Sequence, residues 1–122
     1  MAGLHRPRRI AITTGDAIGY SDYVRGRLGR FDPRTGEANE RPSPGGVNSG
    51  PYGITFVKDL LWHSESGGSP NTLLRFDPKT ETFQTWGIPS GRDAGGYMMA
   101  TLDGNLFLAC SGVDSIALVD LQ

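Results

Sequence analysis

Two short motifs constrain this chain more than any bulk property does. Arg30-Phe31-Asp32-Pro33 recurs as Arg75-Phe76-Asp77-Pro78, and a weaker third copy follows in Leu118-Val119-Asp120-Leu121. The aspartates fall 45 and then 43 residues apart. A second landmark keeps nearly the same interval: Ile18-Gly19-Tyr20-Ser21-Asp22 aligns with Leu61-Trp62-His63-Ser64-Glu65 and with Leu106-Phe107-Leu108-Ala109-Cys110, at spacings of 43 and 45. A period of about 40–50 residues that holds several short strands is the period of a β-propeller blade.

The strands can be read inside the period. In the middle copy they are Tyr52–Val57, Leu60–Glu65, Leu73–Asp77 and Thr82–Ile88, each short and rich in β-branched, aromatic or large apolar residues. In the first copy they are Ile10–Thr14, Ala17–Tyr23, Leu28–Asp32 and Glu37–Pro42, and in the third Tyr97–Thr101, Asn105–Cys110 and Ile116–Leu121. The joints carry turn chemistry. Lys58-Asp59 links two strands, and Asp32-Pro33-Arg34-Thr35-Gly36 opens a hairpin in which Asp accepts from turn amides, Pro presets φ and Gly supplies positive φ. Glu81 replaces that glycine in the second copy, so the turn there is expected to be less favourable.

These strands predict an all-β chain of three antiparallel sheets, the last lacking its outer strand. The expected parts are an N-terminal arm over 1–9 and a partial propeller over 10–122, with blades at 10–42, 52–88 and 97–122. The Gly/Pro-rich stretches 42–51 and 88–96 are read as blade-to-blade crossovers. Eighteen Gly and eight Pro in 122 residues suit so many turns. The expected core comprises Phe31, Ile54, Phe56, Leu61, Trp62, Leu74, Phe76, Met99, Leu106, Leu108 and Leu118.

The net charge of −1 gives no drive toward nucleic acid or an anionic membrane. Arg6, Arg8 and Arg9 lack interleaved aromatics and read as a solvated arm. Cys110 is the only cysteine, so no disulfide within the chain is possible, and its apolar setting predicts a buried, inert thiol. No run is long enough for a membrane helix and no apolar stretch follows the basic start, so the expected location is the cytoplasm.

At Trp62-His63-Ser64-Glu65, and at Arg30-Phe31-Asp32-Pro33-Arg34-Thr35-Gly36, the chain resembles the streptogramin (virginiamycin B) lyase family. Pro51-Tyr52-Gly53-Ile54 is similar to that family's Pro-His-Gly-Ile crossover, and the resemblance runs from Ile10 to Leu121. It implies a propeller of seven blades, in a family whose chains are roughly twice this length or more. The implied activity opens cyclic streptogramin B antibiotics by elimination at the ester. A magnesium ion polarises the carbonyl and a histidine base removes the α-proton, with acidic residues among the site groups.

The candidate site residues follow from that resemblance and from strand geometry. His63 and Glu65 lie two apart on one strand and share a face, as a metal or acid–base pair would; Glu65 is the candidate magnesium ligand. The alternative is a polar edge on a half-buried strand. Tyr52 stands where the family has its crossover histidine and is a poor base at neutral pH, with a reference pKa near ~10. Arg30 with Asp32, and Arg75 with Asp77, share strand faces and read as structural pairs. Trp62 and Trp86 could stack on an aromatic ligand, but packing between blades is the commoner fate. Two functions stay open: a degenerate or truncated lyase for cyclic esters or lactones, and a non-catalytic propeller module for binding or assembly. Three blades leave open faces, which predicts a homodimer that closes a six-bladed ring, each N-terminal arm completing a blade.

Overall fold

The computed structural model describes residues 7–67, 71–88, 98–100, 104–110 and 115–121. Eleven strands run in chain order: β1 (Pro7–Ile12), β2 (Ile18–Asp22), β3 (Arg27–Asp32), β4 (Glu37–Pro42), β5 (Pro51–Val57), β6 (Leu60–Glu65), β7 (Thr72–Asp77), β8 (Thr82–Gly87), β9 (Met98–Ala100), β10 (Leu106–Cys110) and β11 (Ser115–Val119). They form sheets of order β1-β2-β3-β4, β5-β6-β7-β8 and β11-β10-β9, with every pair antiparallel. No helix occurs among the described residues. The expected all-β fold of stacked propeller blades is what the chain adopts.

The turn chemistry acts where the sequence puts it. The Gly36 amide donates to Asp32 O at 2.8 Å and the Glu81 amide donates to Asp77 O at 2.7 Å, so the two hairpins close alike. Gly36 has φ 77° and Glu81 has φ 57°; the glutamate occupies a left-handed conformation that a Cβ disfavours. Lys58 and Asp59 both have positive φ, as a two-residue hairpin demands.

The middle sheet is covered on both faces, so the core is divided between two seams. Leu28, Ile54, Leu61 and Phe76 pack between blades one and two, with Ala11, Phe56 and Phe83 at the margin. Val57, Trp62, Leu73 and Ile88 meet Leu106, Leu108 and Cys110 between blades two and three. The middle blade therefore has its residues Leu61 to Glu65 buried without alternation, because a neighbour covers each side. Arg41 lies over Phe76 with its guanidinium carbon 4.6 Å from the ring centre and pairs with Glu81 at 2.8 Å. Both contacts bridge the outer halves of blades one and two.

Several expectations change. Pro7, Arg8 and Arg9 belong to β1 rather than to a free arm; a proline is tolerated as a strand's first residue. Their guanidinium groups are not simply solvated, because Arg8 lies over the Tyr23 and Tyr52 rings at 4.9 and 5.6 Å. The first strand ends at Ile12, where a turn closes with Thr13 N–H donating to Ala17 O at 2.8 Å. Phe31 and Phe56 are half-buried, and Leu118 is exposed on the outer face of blade three. That face has no neighbouring sheet among the described residues, and strand alternation cannot reveal a missing neighbour. The predicted strand at Tyr97–Thr101 is described only over Met98–Ala100; Arg6, Tyr97 and the 89–97 crossover lie outside the described residues.

Candidate functional site

The crossover from blade one to blade two runs over one rim of the stack. Ser43 N–H donates to Gly26 O at 2.8 Å, Ser66 N–H to Gly50 O at 2.9 Å and Gly67 N–H to Ser49 O at 2.7 Å. This loop thus rests on the β2–β3 turn of blade one and on the end of β6 in blade two. It delivers Ser43 and Gly45 into the seam between the blades, above His63 and Glu65.

His63 and Glu65 do come together, and the agent is Ser43. The Ser43 hydroxyl donates to Glu65 Oε2, and Ser43 Oγ lies 2.9 Å from His63 Nε2. Since the hydroxyl proton goes to the carboxylate, Nε2 carries the proton it donates to Ser43 Oγ, and Nδ1 is the bare nitrogen. Glu65 also accepts from the Gly45 amide at 2.8 Å and from Thr72 Oγ1 at 3.0 Å. Gly45 is required by this approach: a Cβ there would meet Glu65 Oε1 at 2.7 Å.

Burial sets the electrostatics. His63 and Ser64 have no exposed surface and Ser43 has almost none. Burial pushes the His63 pKa down to about 4, against the opposing pull of the Glu65 charge, so the imidazole is neutral near pH 7. His63 Nδ1 is buried and has no hydrogen-bond partner among the described residues, and Phe83 packs edge-on to the ring at 6.1 Å.

Blade one has the same positions differently filled. Asp22 occupies the place of Glu65 and takes the Arg25 backbone N–H at 3.1 Å and the Arg25 guanidinium at 2.9 Å. Arg25 also reaches Glu40 at 2.6 Å, and the Tyr20 hydroxyl donates to Glu40 at 2.6 Å. Burial, and then the Glu40 carboxylate, raise the Tyr20 pKa to about 12. In blade three the position falls to Cys110, a buried free thiol as expected.

Tyr52 lies in a different cluster. Its ring meets Tyr23 edge-on at 6.1 Å, its hydroxyl accepts from Arg9 at 3.4 Å and its carbonyl accepts from Ser21 Oγ at 2.8 Å. The remaining candidates resolve into structural contacts. Asp32 accepts from the Arg34 amide at 2.9 Å and from its guanidinium at 3.4 Å, which holds its carboxyl below the usual range; its partner is Arg34 rather than the expected Arg30. Arg75 covers the Trp62 and Trp86 rings, which stack at 5.7 Å, and donates to Gln84. Wedge-shaped grooves of about 890 and 620 Å³ open between blades one and two and between blades two and three, and none of His63, Glu65 and Tyr52 lines either.

The carboxylate of Glu65 is a poor fit for magnesium. Three protein donors already use its oxygens, and it is buried. Among the described residues no group of three or more His, Cys, Asp or Glu is placed to hold a metal ion. Sequence reasoning missed Ser43, which looked like part of a Gly/Pro crossover. Its setting between Pro44 and the strand-ending Pro42 fixes the backbone there, but nothing local in the sequence points it at a residue 20 positions away.

Two four-stranded antiparallel sheets and a three-stranded one, stacked face to face, define a segment of a β-propeller. Within that class the chain is similar in fold to streptogramin lyases and to other propeller proteins. A catalytically inactive virginiamycin B lyase from Staphylococcus aureus with quinupristin superposes with a TM-score of 0.78 at 22% identity, over 95% of this chain and 41% of that one. A streptogramin B lyase structure gives 0.76 at 20% identity, over 100% of this chain and 43% of that one. A PQQ-bound aldose sugar dehydrogenase from Streptomyces coelicolor gives 0.65 at 21% identity, over 87% and 38%. The chain thus spans about two fifths of the length of these structures. No family model and no curated protein matches it.

Proposed function

We propose that this chain is a non-catalytic unit of a streptogramin-lyase-like propeller, a binding or assembly module rather than a self-sufficient lyase. The observation that carries this reading is the Ser43 bridge. A general base must offer a lone pair to substrate. His63 commits Nε2 to Ser43, and its bare Nδ1 is sealed inside the protein. Glu65 spends its oxygens on Ser43, Gly45 and Thr72, so it holds the crossover down instead of holding a metal ion or orienting a base. Tyr52 has the position of the family's crossover histidine without its basicity. The three residues named from the sequence therefore serve better as a latch and a rim contact than as catalytic groups.

The competing reading, elimination at a cyclic ester with magnesium, is favoured only by likeness to the lyases. Incubation with magnesium and a cyclic streptogramin B, followed by mass spectrometry, separates the two. The expected result is no ring-opened product above the protein-free control. Turnover that is lost in His63→Ala and in Glu65→Gln would replace this proposal with the enzymatic one. Turnover that survives His63→Ala would show a base elsewhere and overturn the latch reading as an account of function.

A further inference from the structure

We propose that the two open faces of the stack mate with each other between two copies of this chain, head to tail, closing a ring of six blades. It deepens the assembly reading above, and its test is separate: sedimentation reads the contact while the ring-opening assay reads catalysis, so either can fail alone.

The chain itself displays the contact in question. Blade two presents Ile54, Leu61 and Phe76 to blade one, and Val57, Trp62 and Leu73 to blade three. These are its leading and trailing faces. Antiparallel register fixes which residues of the other blades correspond. In blade one Ile12 pairs with Ile18 and Ile18 with Phe31, as Phe56 pairs with Leu61 and Leu61 with Phe76 in blade two. The leading face of blade one is thus built like the buried leading face of blade two, yet Ile10 is 63% and Ile12 66% exposed.

The far end is its complement. Phe107 pairs with Leu118 and Ala109 with Ile116, as Trp62 pairs with Arg75 and Ser64 with Leu73. Phe107 and Ile116 therefore stand where Trp62 and Leu73 stand in blade two, where both are buried. On blade three Ile116 is 74% and Leu118 58% exposed. Open apolar faces of this kind mark interaction surfaces.

The occupant follows from polarity. In both internal seams a leading face meets a trailing face. The described chain leaves one of each open, and they differ, so neither is built to pair with itself. A heterologous contact of this sort makes a ring when the rotation closes. Two copies give six blades, inside the range of about four to eight that propellers use.

Sedimentation velocity at micromolar concentration tests this. The wild-type chain is expected at twice the chain mass. Ile12→Glu spoils only the leading face and Leu118→Glu only the trailing face, so each variant alone is expected to be monomeric. Mixing the two should restore association, because the intact trailing face of the first fits the intact leading face of the second. A self-pairing face would instead leave one single variant dimeric. Both side chains are exposed, and circular dichroism checks that each variant keeps the wild-type strand spectrum; Ile10→Glu and Ile116→Glu replace either variant that fails to fold. Monomeric wild type, a single variant that still dimerises, or a mixture that stays monomeric would each overturn the proposal.

Discussion

Acidification below pH 6.5 should destabilise this protein through His63. The imidazole has an ordinary pKa of 6.5 in the unfolded chain and is held near 4 in the folded one, chiefly by burial. Its folded pKa is depressed, so its contribution to stability is complete above pH 6.5 and is lost as the pH falls toward 4. Each pH unit across that interval costs about 1.4 kcal/mol, and the whole interval about 3 kcal/mol. That is a large share of the ~5–15 kcal/mol that holds a typical domain together. Urea unfolding followed by tryptophan fluorescence, repeated from about pH 7.5 down to about pH 4.5, measures it. His63→Gln is the control: the amide can still donate to Ser43 and does not titrate. The difference in unfolding free energy between wild type and variant should shift against the wild type as the pH falls, by about 1.4 kcal/mol per unit below 6.5. Parallel curves would refute the buried, neutral state of His63, and with it the account of the latch.

Three further outcomes follow from the packing. Ser43→Ala removes a donor to Glu65 and an acceptor from His63 inside the seam, and should lower stability by roughly 2–3 kcal/mol in the same urea assay. Gly36→Ala should cost about 1 kcal/mol from the left-handed backbone at φ 77°, since no described residue lies within 4 Å of the added methyl; Glu81→Gly should move the other way by less, because it also loses the exposed pair with Arg41. Leu74→Ala empties a fully buried site on β7 and should cost about 2–5 kcal/mol by thermal or urea melts, with strand content retained at low temperature.

The fold was legible because its signals are local. Asp32-Pro33 and Asp77-Pro78 announce hairpins through the carboxylate and the fixed φ of proline, and both hairpins form with the same carbonyl–amide closure. Glu81 in place of glycine read as a strained turn, and it has positive φ. The site was less legible because burial between blades depends on residues far away in sequence. His63 and Glu65 share a face, as their spacing requires, but a serine 20 residues before His63 decides what that face does. Leu118 fits the strand pattern as well as Leu108 does, yet only Leu108 has a sheet opposite it. Arg8 and Arg9 looked isolated because their aromatic partners, Tyr23 in the turn after β2 and Tyr52 in β5, lie elsewhere in the sequence.

The latch also bears on where such a chain can be cut and rejoined. The loop over 43–50 leaves blade one, but its hydrogen bonds to Glu65, Ser66 and Gly67 lie in blade two. A duplication or fusion with its boundary inside that loop would split a lock from its keeper and leave a buried carboxylate with Thr72 as its remaining donor of the three. The tips at 33–35 and 78–80 are exposed. Insertions and circularly permuted ends should be accepted at these outer hairpins and rejected at the crossover. The unit that must stay covalently whole is then offset from the visible blade: it includes the crossover that leaves blade one together with the sheet of blade two that the crossover fastens.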